Sequence, residues 1–262
     1  FYTEASQKGL VGDFKIEWGD FDTYKELVTK IATRSDEGNA LAEGVMRLSL
    51  RIKGGSDRYA MHVKGLEVSA YDCHAAPAMA LAYGTAASGA HHKDAWVIAW
   101  EVKTDRLGYT KDKVEKVIEL QDFRGGMFES LTVCRFPWVE LGLKLEYYPK
   151  FLRAATGLSV TLDDMRTLGA RVYTLIRAYW VREKGGWKVE YDLPPARWFE
   201  DPLTKGPLKG SKLDRDGYLK MLSWYYELRG WDSRGIPKRS TLTRLGLDFV
   251  VQTLSGFVEL AD

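Results

Sequence analysis

Apolar residues recur at helical spacing along most of this 262-residue chain, and this periodicity limits the fold more than any other sequence feature. In residues 20–34, for example, Leu27 and Ile31 fall on one helix face, and Asp20 or Asp22 is a suitable N-cap. The same signals predict further helices over 39–53, over 113–120, after the capping box of Thr161 and Asp164, over 212–229 up to Gly230, and from 241 through 249.

Strand signals are few and short. Residues 58–63 and 96–102 have the composition of short extended segments, but no stretch alternates long enough to build a sheet. The sequence therefore predicts a mainly α fold, an irregular multi-helix array rather than a simple bundle. A break near 54–63 separates a helical leader from the larger remainder, and the Pro/Gly/Lys-rich stretch 201–210 is predicted to form a surface loop.

Charge and cysteine content exclude several classes of protein. The formal net charge is +2 with both signs interspersed, which predicts neither a nucleic-acid nor a membrane partner. Two cysteines are too few for a disulfide-rich secreted scaffold. The N-terminus has no signal-peptide pattern, lacks an initiator Met and begins as if within a helix, so we expect a cytoplasmic fragment or processed chain.

The stretch 75–92 is rich in small residues and ends in two adjacent histidines, His91 and His92. It is either a tightly packed buried helix or a helix pressed against a bulky cofactor. The histidines are either surface residues or include one proton-transfer group. Cys73 and His74 make a weak metal motif, because neither their spacing nor further ligands support it.

Cys134 also has two interpretations. An isolated cysteine is most often a buried free thiol. Alternatively, Cys134 is one ligand of an iron–sulfur cluster, which usually needs about four thiolates and would here draw the others from a larger catalytic unit. If Cys134 ends a helix, Glu129 lies just over one turn before it, where it would hydrogen-bond an N–H-rich ligand.

Several short motifs occur together and in order along essentially the whole chain. They are Leu-Ala-Glu-Gly-Val at 41–45, His-Val-Lys-Gly-Leu-Glu at 62–67, Ala-Tyr-Asp at 70–72, Leu-Ala-Tyr at 81–83, Gly-Ala-His-His at 89–92, 130–136 around Cys134, Tyr-Tyr-Glu-Leu-Arg-Gly-Trp-Asp at 225–232 and Gly-Ile-Pro at 235–237. In combination, the chain resembles the C-terminal part of the tungsten-dependent aldehyde ferredoxin oxidoreductases.

The resemblance implies a fold, a cofactor set and an activity. The chain would correspond to the two C-terminal helical domains, with 1–60 as the end of the middle domain and 61–262 as the C-terminal domain. Family members hold a tungsten-bispterin centre and a [4Fe-4S] cluster, oxidise aldehydes to carboxylic acids and pass electrons to ferredoxin or another electron-transfer protein. Three cluster cysteines of the family would lie before Phe1, in an N-terminal part of the same enzyme or in a complementary subunit.

The fourth cluster cysteine of the family lies in an Asp-x-x-Gly-Leu-Cys motif that also binds a pterin. That motif maps onto 129–134, so Cys134 is the expected metal ligand. The expected cofactor-binding residues are Glu129, Val133, Cys134 and Arg135. The chain departs from the motif with Glu129 for Asp, Thr132 for Gly and Val133 for Leu.

The resemblance also implies two catalytic residues. His92 matches the histidine that approaches tungsten and would donate a hydrogen bond or move a proton, while Tyr71 would position the substrate. Ser88 replaces an Arg common in the family pattern. Two other functions stay open: a non-catalytic helical binding or scaffold module, and a family member with another substrate, such as a tungsten ring reductase.

Overall fold

The computed structural model describes residues 1–69, 71–139 and 141–262, so Ala70 of the motif at 70–72 lies outside the described residues. In chain order the helices are α1 (Tyr2–Gln7), α2 (Phe21–Thr33), α3 (Glu37–Leu41), α4 (Gly44–Ile52), α5 (Pro77–Thr85), α6 (Ile98–Thr104), α7 (Lys111–Leu120), α8 (Phe128–Ser130), α9 (Phe136–Val139), α10 (Tyr147–Thr156), α11 (Leu162–Lys184), α12 (Arg197–Glu200), α13 (Arg215–Arg229), α14 (Arg239–Arg244) and α15 (Asp248–Leu254).

Shorter elements complete the description. Two 3₁₀ helices span Ser56–Tyr59 and Val189–Asp192, and a π-helix spans Gln121–Met127 directly after α7. Strands β1 (His62–Val63) and β2 (Leu66–Glu67) pair antiparallel as a two-stranded hairpin. The predicted mainly α architecture is therefore confirmed. Among the described residues, no helix combines the length and the apolar composition that crossing a lipid bilayer requires.

Local capping signals set several helix ends as the sequence predicts. The Asp20 carboxylate accepts a hydrogen bond from the Asp22 amide at the start of α2. Thr161 and Asp164 form the reciprocal capping box of α11, with Thr161 N–H donating to the Asp164 carboxylate at 2.8 Å. Gly230 ends α13 in the left-handed conformation, with φ near 70°.

Four sequence predictions about element boundaries are wrong in part or in full. Residues 96–102 are helical from Ile98 onward rather than extended, because Glu101 is held by the start of α5 and by Lys113. The predicted helix 39–53 is divided into α3 and α4, and the predicted helix 241–249 lies across α14 and α15. In 58–63 only β1 is a strand, because Ser56–Tyr59 is a 3₁₀ helix.

The divisions of the predicted helices 39–53 and 241–249 share a physical cause. Gly44 and Gly246 both adopt positive φ, near 79° and 66°, and such a residue interrupts a right-handed helix. In each case, one glycine with positive φ divides a helix that the apolar pattern predicts to be continuous.

The centre of the fold is α5, in which all nine residues are buried. Helices α6, α7 and α13 and the 3₁₀ helix Val189–Asp192 pack around it. A Cβ atom added to Gly84 would lie 2.1 Å from the Tyr218 hydroxyl, so a larger residue would not fit there. Protein elements alone account for the small residues of 77–85, which supports the buried-helix interpretation of that part of the stretch. The chain leaves the helix at Ala86, and 86–92 is irregular.

The π-helix lies against α11, the longest described helix. A Cβ atom on Gly126 would lie 2.2 Å from the Cα of Gly169, so the two backbones approach as closely as glycine permits. Every residue of the π-helix is buried. Single-turn π-helices are frequent next to functional sites, and this one lies between α7 and the segment that contains Cys134.

Candidate functional site

Tyr71 and His92 contact each other. Their ring centroids are 5.0 Å apart and the ring planes meet at 74°, an edge-to-face arrangement. The Trp96 ring lies 6.3 Å from Tyr71 on the same segment as His92. All three side chains are partly buried. The structure therefore brings together the two residues that were predicted to be catalytic and adds Trp96 beside them.

A hydrogen-bonded chain orients the His92 imidazole. The Ser69 hydroxyl lies 2.8 Å from His92 Nδ1 and 2.8 Å from the Tyr83 hydroxyl. Burial raises the pKa of Tyr83 to about 12, and its hydroxyl also donates to the Ser69 carbonyl at 3.4 Å. When the Ser69 hydroxyl donates to His92 Nδ1, the imidazole proton lies on Nε2, and His92 can donate a hydrogen bond through Nε2.

The charge state of His92 is set by its surroundings. Burial lowers its pKa, and the positive charges of Arg124, Arg135 and the neighbouring His91 lower it further. His92 is therefore neutral at neutral pH. A neutral imidazole in this tautomer donates one hydrogen bond without adding a formal charge to the site.

The structure places Cys134 in the turn between α8 and α9 rather than at a helix end, and its thiol is exposed. The buried-thiol interpretation is therefore wrong. Two residues earlier, Thr132 has φ near 54°, in the left-handed region. A β-branched residue is strained there, whereas glycine is not. Thr132 therefore holds this turn at an energetic cost.

Electrostatic contacts connect the Cys134 segment with the histidine segment. Lys93 Nζ lies 3.0 Å from the Glu129 carboxylate and 3.6 Å from the Asp94 carboxylate. The charge of Arg135 lowers the pKa of both His91 and His92, after the larger effect of burial. The two segments, which the sequence separates by about 40 positions, therefore face the same region of the molecule.

Buried polar atoms without a hydrogen-bond partner gather in this region. In the part of the chain that the structure describes, eight buried side-chain atoms have no partner. Five of the eight lie on this site: His91 Nδ1, Asp94 Oδ1, Trp96 Nε1, Arg135 Nε and the Tyr148 hydroxyl. Each such atom costs about 1–3 kcal/mol when it is left unpaired. Trp96 Nε1, Arg135 Nε and the Tyr148 hydroxyl can donate and Asp94 Oδ1 can accept, so the set is suited to a polar ligand.

Tyr148 belongs to this group through its proximity to Cys134. Burial raises the pKa of the Tyr148 phenol, and the Cys134 thiol raises it further. The ring packs edge-on against Phe128 of α8 at 4.8 Å. An unpaired, protonated phenol therefore lies beside the exposed thiol.

Val133 and Glu129, two of the predicted cofactor-binding residues, make few contacts in this site. Val133 is 41% exposed, and its amide donates to the Phe128 carbonyl at 3.2 Å, so its observed role is to close the turn before Cys134. Glu129 is exposed and contacts Lys93.

A cleft of about 460 Å³ between α6, α7, α11 and α13 is lined by Trp100, Asp112 and Arg166 among others, and by none of the predicted site residues.

Sequence reasoning missed the residues that support the histidines. Ser69 and Tyr83 orient His92, while Lys93, Asp94 and Trp96 extend the site. One sequence feature could have identified Asp94, because it is a charged residue directly before the apolar run Ala-Trp-Val. Buried acids are rare unless they are paired, and that run predicts burial.

Comparisons with known proteins bear on the fold and the family of this chain. The family model described as "Aldehyde ferredoxin oxidoreductase, domains 2 & 3" matches residues 1–247. The tungsten-containing aldehyde ferredoxin oxidoreductase of Pyrococcus furiosus is 31% identical over 255 residues, which is 93% of this chain and 41% of that protein. The protein of the same name in Pyrococcus horikoshii is 31% identical over 236 residues, which is 88% of this chain and 37% of that protein.

Two more distant similarities broaden the comparison. The "Aliphatic sulfonate oxidoreductase, WOR-like subunit" of Pyrococcus furiosus is 28% identical over 267 residues, covering 94% of this chain and 39% of that protein. The solved active-site complex BamBC of benzoyl coenzyme A reductase superposes with a TM-score of 0.70 at 21% identity. That match covers 99% of this chain and 45% of the other, and it shows a shared fold.

Proposed function

Because the chain belongs to the aldehyde ferredoxin oxidoreductase family, we propose that it is the C-terminal portion of an enzyme that oxidises aldehydes to carboxylic acids at a tungsten-bispterin centre. Electrons would leave through a [4Fe-4S] cluster to ferredoxin or another electron-transfer protein. The chain spans 41% of the Pyrococcus furiosus relative, so the activity would belong to the complete enzyme. By this we mean this chain together with the remaining part of the same polypeptide or a complementary subunit.

One observation carries the proposal: the Tyr71–His92 pair and the Cys134 segment face the same region. The Lys93–Glu129 ion pair and the effect of Arg135 on both histidines connect them. In the proposed enzyme, the substrate-orienting groups and the cluster ligand would serve one site. Within the portion, residues 1–60 would end the middle helical domain and 61–262 would form the C-terminal one.

The residues of this region suit the proposed cofactors. A pterin presents ring nitrogens and oxygens as acceptors, and Arg135 Nε and Trp96 Nε1 are buried donors with no partner among the described residues. Glu129 would accept from the pterin N–H groups, and Val133 would line the same turn. The exposed Cys134 thiol would bind iron as a thiolate.

The chain has two cysteines, of which Cys73 is buried, so the other cluster thiolates would come from outside this chain. Across 1–69, 71–139 and 141–262, no three His, Cys, Asp or Glu side chains gather as a metal site requires. When bound, the tungsten centre would accept the electrons of the oxidation, and the cluster would conduct them out. The chain's own part would be to bind and orient the substrate.

His92 and Tyr71 would act on the substrate. His92 Nε2–H would donate a hydrogen bond to the aldehyde oxygen, where negative charge develops as the carbonyl carbon is attacked. The Tyr71 ring packs edge-on against that imidazole at 5.0 Å and would hold the substrate in line. Ser69 and Tyr83 would keep the His92 tautomer fixed during turnover.

The test uses the complete enzyme with His92→Ala. Loss of a positioned acid–base or hydrogen-bonding group typically lowers the rate by about 10²–10⁴-fold, and we expect kcat for aldehyde oxidation to fall in that range with tungsten and iron content unchanged. Unchanged aldehyde oxidation with the metals intact would show that His92 has no catalytic role. His62→Ala is the matched control, because His62 lies on the β1–β2 hairpin and its Nδ1 accepts from the Gly65 amide.

The same preparation separates the two other functions. A ring reductase would contain tungsten and iron but would not oxidise aldehydes, and substrate profiling would detect this. A scaffold module would contain neither metal in its native assembly. Either result would refute aldehyde oxidation as the activity of this chain's enzyme.

A further inference from the structure

His91 has different hydrogen-bond partners from its neighbour His92. Its Nε2 lies 3.3 Å from the Ser88 hydroxyl and 3.7 Å from an Asp94 carboxylate oxygen. Its Nδ1 is buried and has no hydrogen-bond partner among the described residues. With a carboxylate and a hydroxyl beside Nε2, the proton of the neutral imidazole belongs on Nε2. The lone pair of Nδ1 is then available to accept a proton.

Asp94 is held rigidly beside this imidazole. Its side chain is 7% exposed, and one oxygen accepts a hydrogen bond from the Tyr173 hydroxyl of α11. Burial raises the pKa of Tyr173 and Asp94 raises it further, so Tyr173 remains a neutral donor. A Cβ atom on Gly125 of the π-helix would lie 2.7 Å from both the Asp94 carboxyl carbon and the Tyr173 ring. The glycine therefore permits the pair to meet.

Several charges act on His91. Burial lowers its pKa, Asp94 raises it, Lys93 and Arg135 lower it, and Glu129 raises it. These groups come from the segment of His91 itself and from the Cys134 segment. The net effect is a lowered pKa, so His91 is neutral at neutral pH and can accept a proton. At 3.7 Å from Nε2, the Asp94 carboxylate makes no direct hydrogen bond to the imidazole and acts on it through its charge.

We propose that His91 Nδ1 is the proton acceptor in the oxidation proposed above, with Asp94 and Tyr173 as positioning residues. This inference rests on the proposed function. Oxidation of an aldehyde by water gives a carboxylic acid, two protons and two electrons: a C–O bond forms, and the aldehyde C–H bond and a water O–H bond break. The two electrons of the C–H bond would be accepted by the tungsten centre and its electron-transfer partner, the proton of the C–H bond would leave to solvent, and His91 Nδ1 would take the proton of the attacking water.

The first experiment compares kcat/KM for aldehyde oxidation in the complete enzyme with and without His91→Gln. General-base catalysis contributes about 10²–10⁴-fold, so a loss of that size is expected with tungsten and iron content unchanged. His62→Gln is the matched control, because His62 lies on the β1–β2 hairpin and is expected to leave kcat/KM unchanged. A His91→Gln enzyme with wild-type kcat/KM would overturn the proposal.

The second experiment uses the pH profile, which a merely structural role would not move. Asp94→Asn removes a charge that raises the His91 pKa, so the ascending limb of kcat/KM should move to lower pH. Lys93→Met removes a charge that lowers this pKa, so its limb should move to higher pH. Tyr173→Phe keeps both charges and should lower kcat/KM with little movement of the limb. Shifts of the same sign in Asp94→Asn and Lys93→Met would refute the proposal.

A third measurement needs no turnover. It is the ¹⁵N NMR spectrum of the histidine-labelled complete enzyme, in which the four histidines of this chain are assigned by single substitutions. His91 should carry its proton on Nε2 at neutral pH, with Nδ1 unprotonated. A protonated Nδ1 would overturn the proposal even if His91→Gln failed to assemble. Absence of aldehyde oxidation in the wild-type enzyme would instead refute the proposed function itself.

Discussion

Asp192 is the residue whose change should destabilise this fold most clearly. Its carboxylate is fully buried and accepts two hydrogen bonds from Arg177, at 2.8 and 3.0 Å. It also lies 3.0 Å from Lys64 Nζ and accepts from Trp187 Nε1 at 3.0 Å and from the Tyr226 hydroxyl at 2.7 Å. One carboxylate thus joins the β1–β2 hairpin, α11, α13 and the chain that follows α11.

The substitution Asp192→Asn keeps the shape and removes the charge. Arg177 and Lys64 would then be two buried cations without an anion, and removal of one partner of a buried pair typically costs about 3–5 kcal/mol. A protein of this size is stable by about 5–15 kcal/mol, so roughly a fifth or more of the free energy of unfolding would be lost. In a urea titration at pH 7 monitored by tryptophan fluorescence, we expect the unfolding midpoint to fall in proportion to the lost free energy of unfolding.

Asp163→Asn is the matched control. Its side chain is 87% exposed and pairs with Arg166 at 3.5 Å, so the loss should stay below about 0.5 kcal/mol. Tyr226→Phe removes one hydrogen bond to Asp192 and should cost about 1 kcal/mol. A loss of less than about 1 kcal/mol in Asp192→Asn would refute the view that this carboxylate holds the core together.

Acid provides an independent measure of the same interaction. Burial acts to raise the pKa of Asp192, but the charges of Arg177 and Lys64 outweigh it and lower the pKa from 3.8 to about 2. The stabilisation is present above the unfolded value of 3.8 and is lost as the pH falls through about 2. The shift corresponds to about 2 kcal/mol. The Asp192→Asn variant should lack this part of the pH dependence. The difference in free energy of unfolding between wild type and the variant should therefore become smaller as the pH falls toward 2.

Two further substitutions test other parts of the structure. Thr132→Gly should raise the free energy of unfolding by about 0.5–1 kcal/mol in a urea titration, since it relieves a left-handed β-branched residue; a loss of stability would contradict the strain. Glu101→Gln should lower it by about 3–5 kcal/mol, because Lys113 would remain buried 3.0 Å away without an anion. The double variant Glu101→Gln, Lys113→Met should recover much of that loss, and a double-mutant cycle without coupling would argue against the pair.

The sequence predicted the elements that carry their own local signals. The N-cap at Asp20, the capping box at Thr161 and the left-handed stop at Gly230 each depend on residues within a few positions of one another. These ends are confirmed. The predicted strand over 96–102 failed for the opposite reason, because α6 depends on contacts that Glu101 makes with α5 and α7. No local pattern encodes those partners.

The candidate site shows the same division. The motifs identified His92, Tyr71 and Cys134, and the structure places the first two in contact. The exposure of Cys134 was not predictable, because an isolated cysteine is usually buried. The roles of Ser69, Asp94 and Tyr173 depend on contacts across 23 and 79 positions, which a single sequence does not reveal. The roles of the site residues stay predictions.

The central claim is that Cys134 completes a cluster whose other thiolates this chain does not supply. The direct measurement is the iron content and the EPR spectrum of the reduced complete enzyme, compared between wild type, Cys134→Ala and Cys73→Ala. Cys73 is the matched control, because it is the other cysteine of the chain and is fully buried. We predict that wild type and Cys73→Ala bind about four iron atoms per cluster and that Cys134→Ala loses the cubane signal. A full [4Fe-4S] signal in Cys134→Ala would contradict the account.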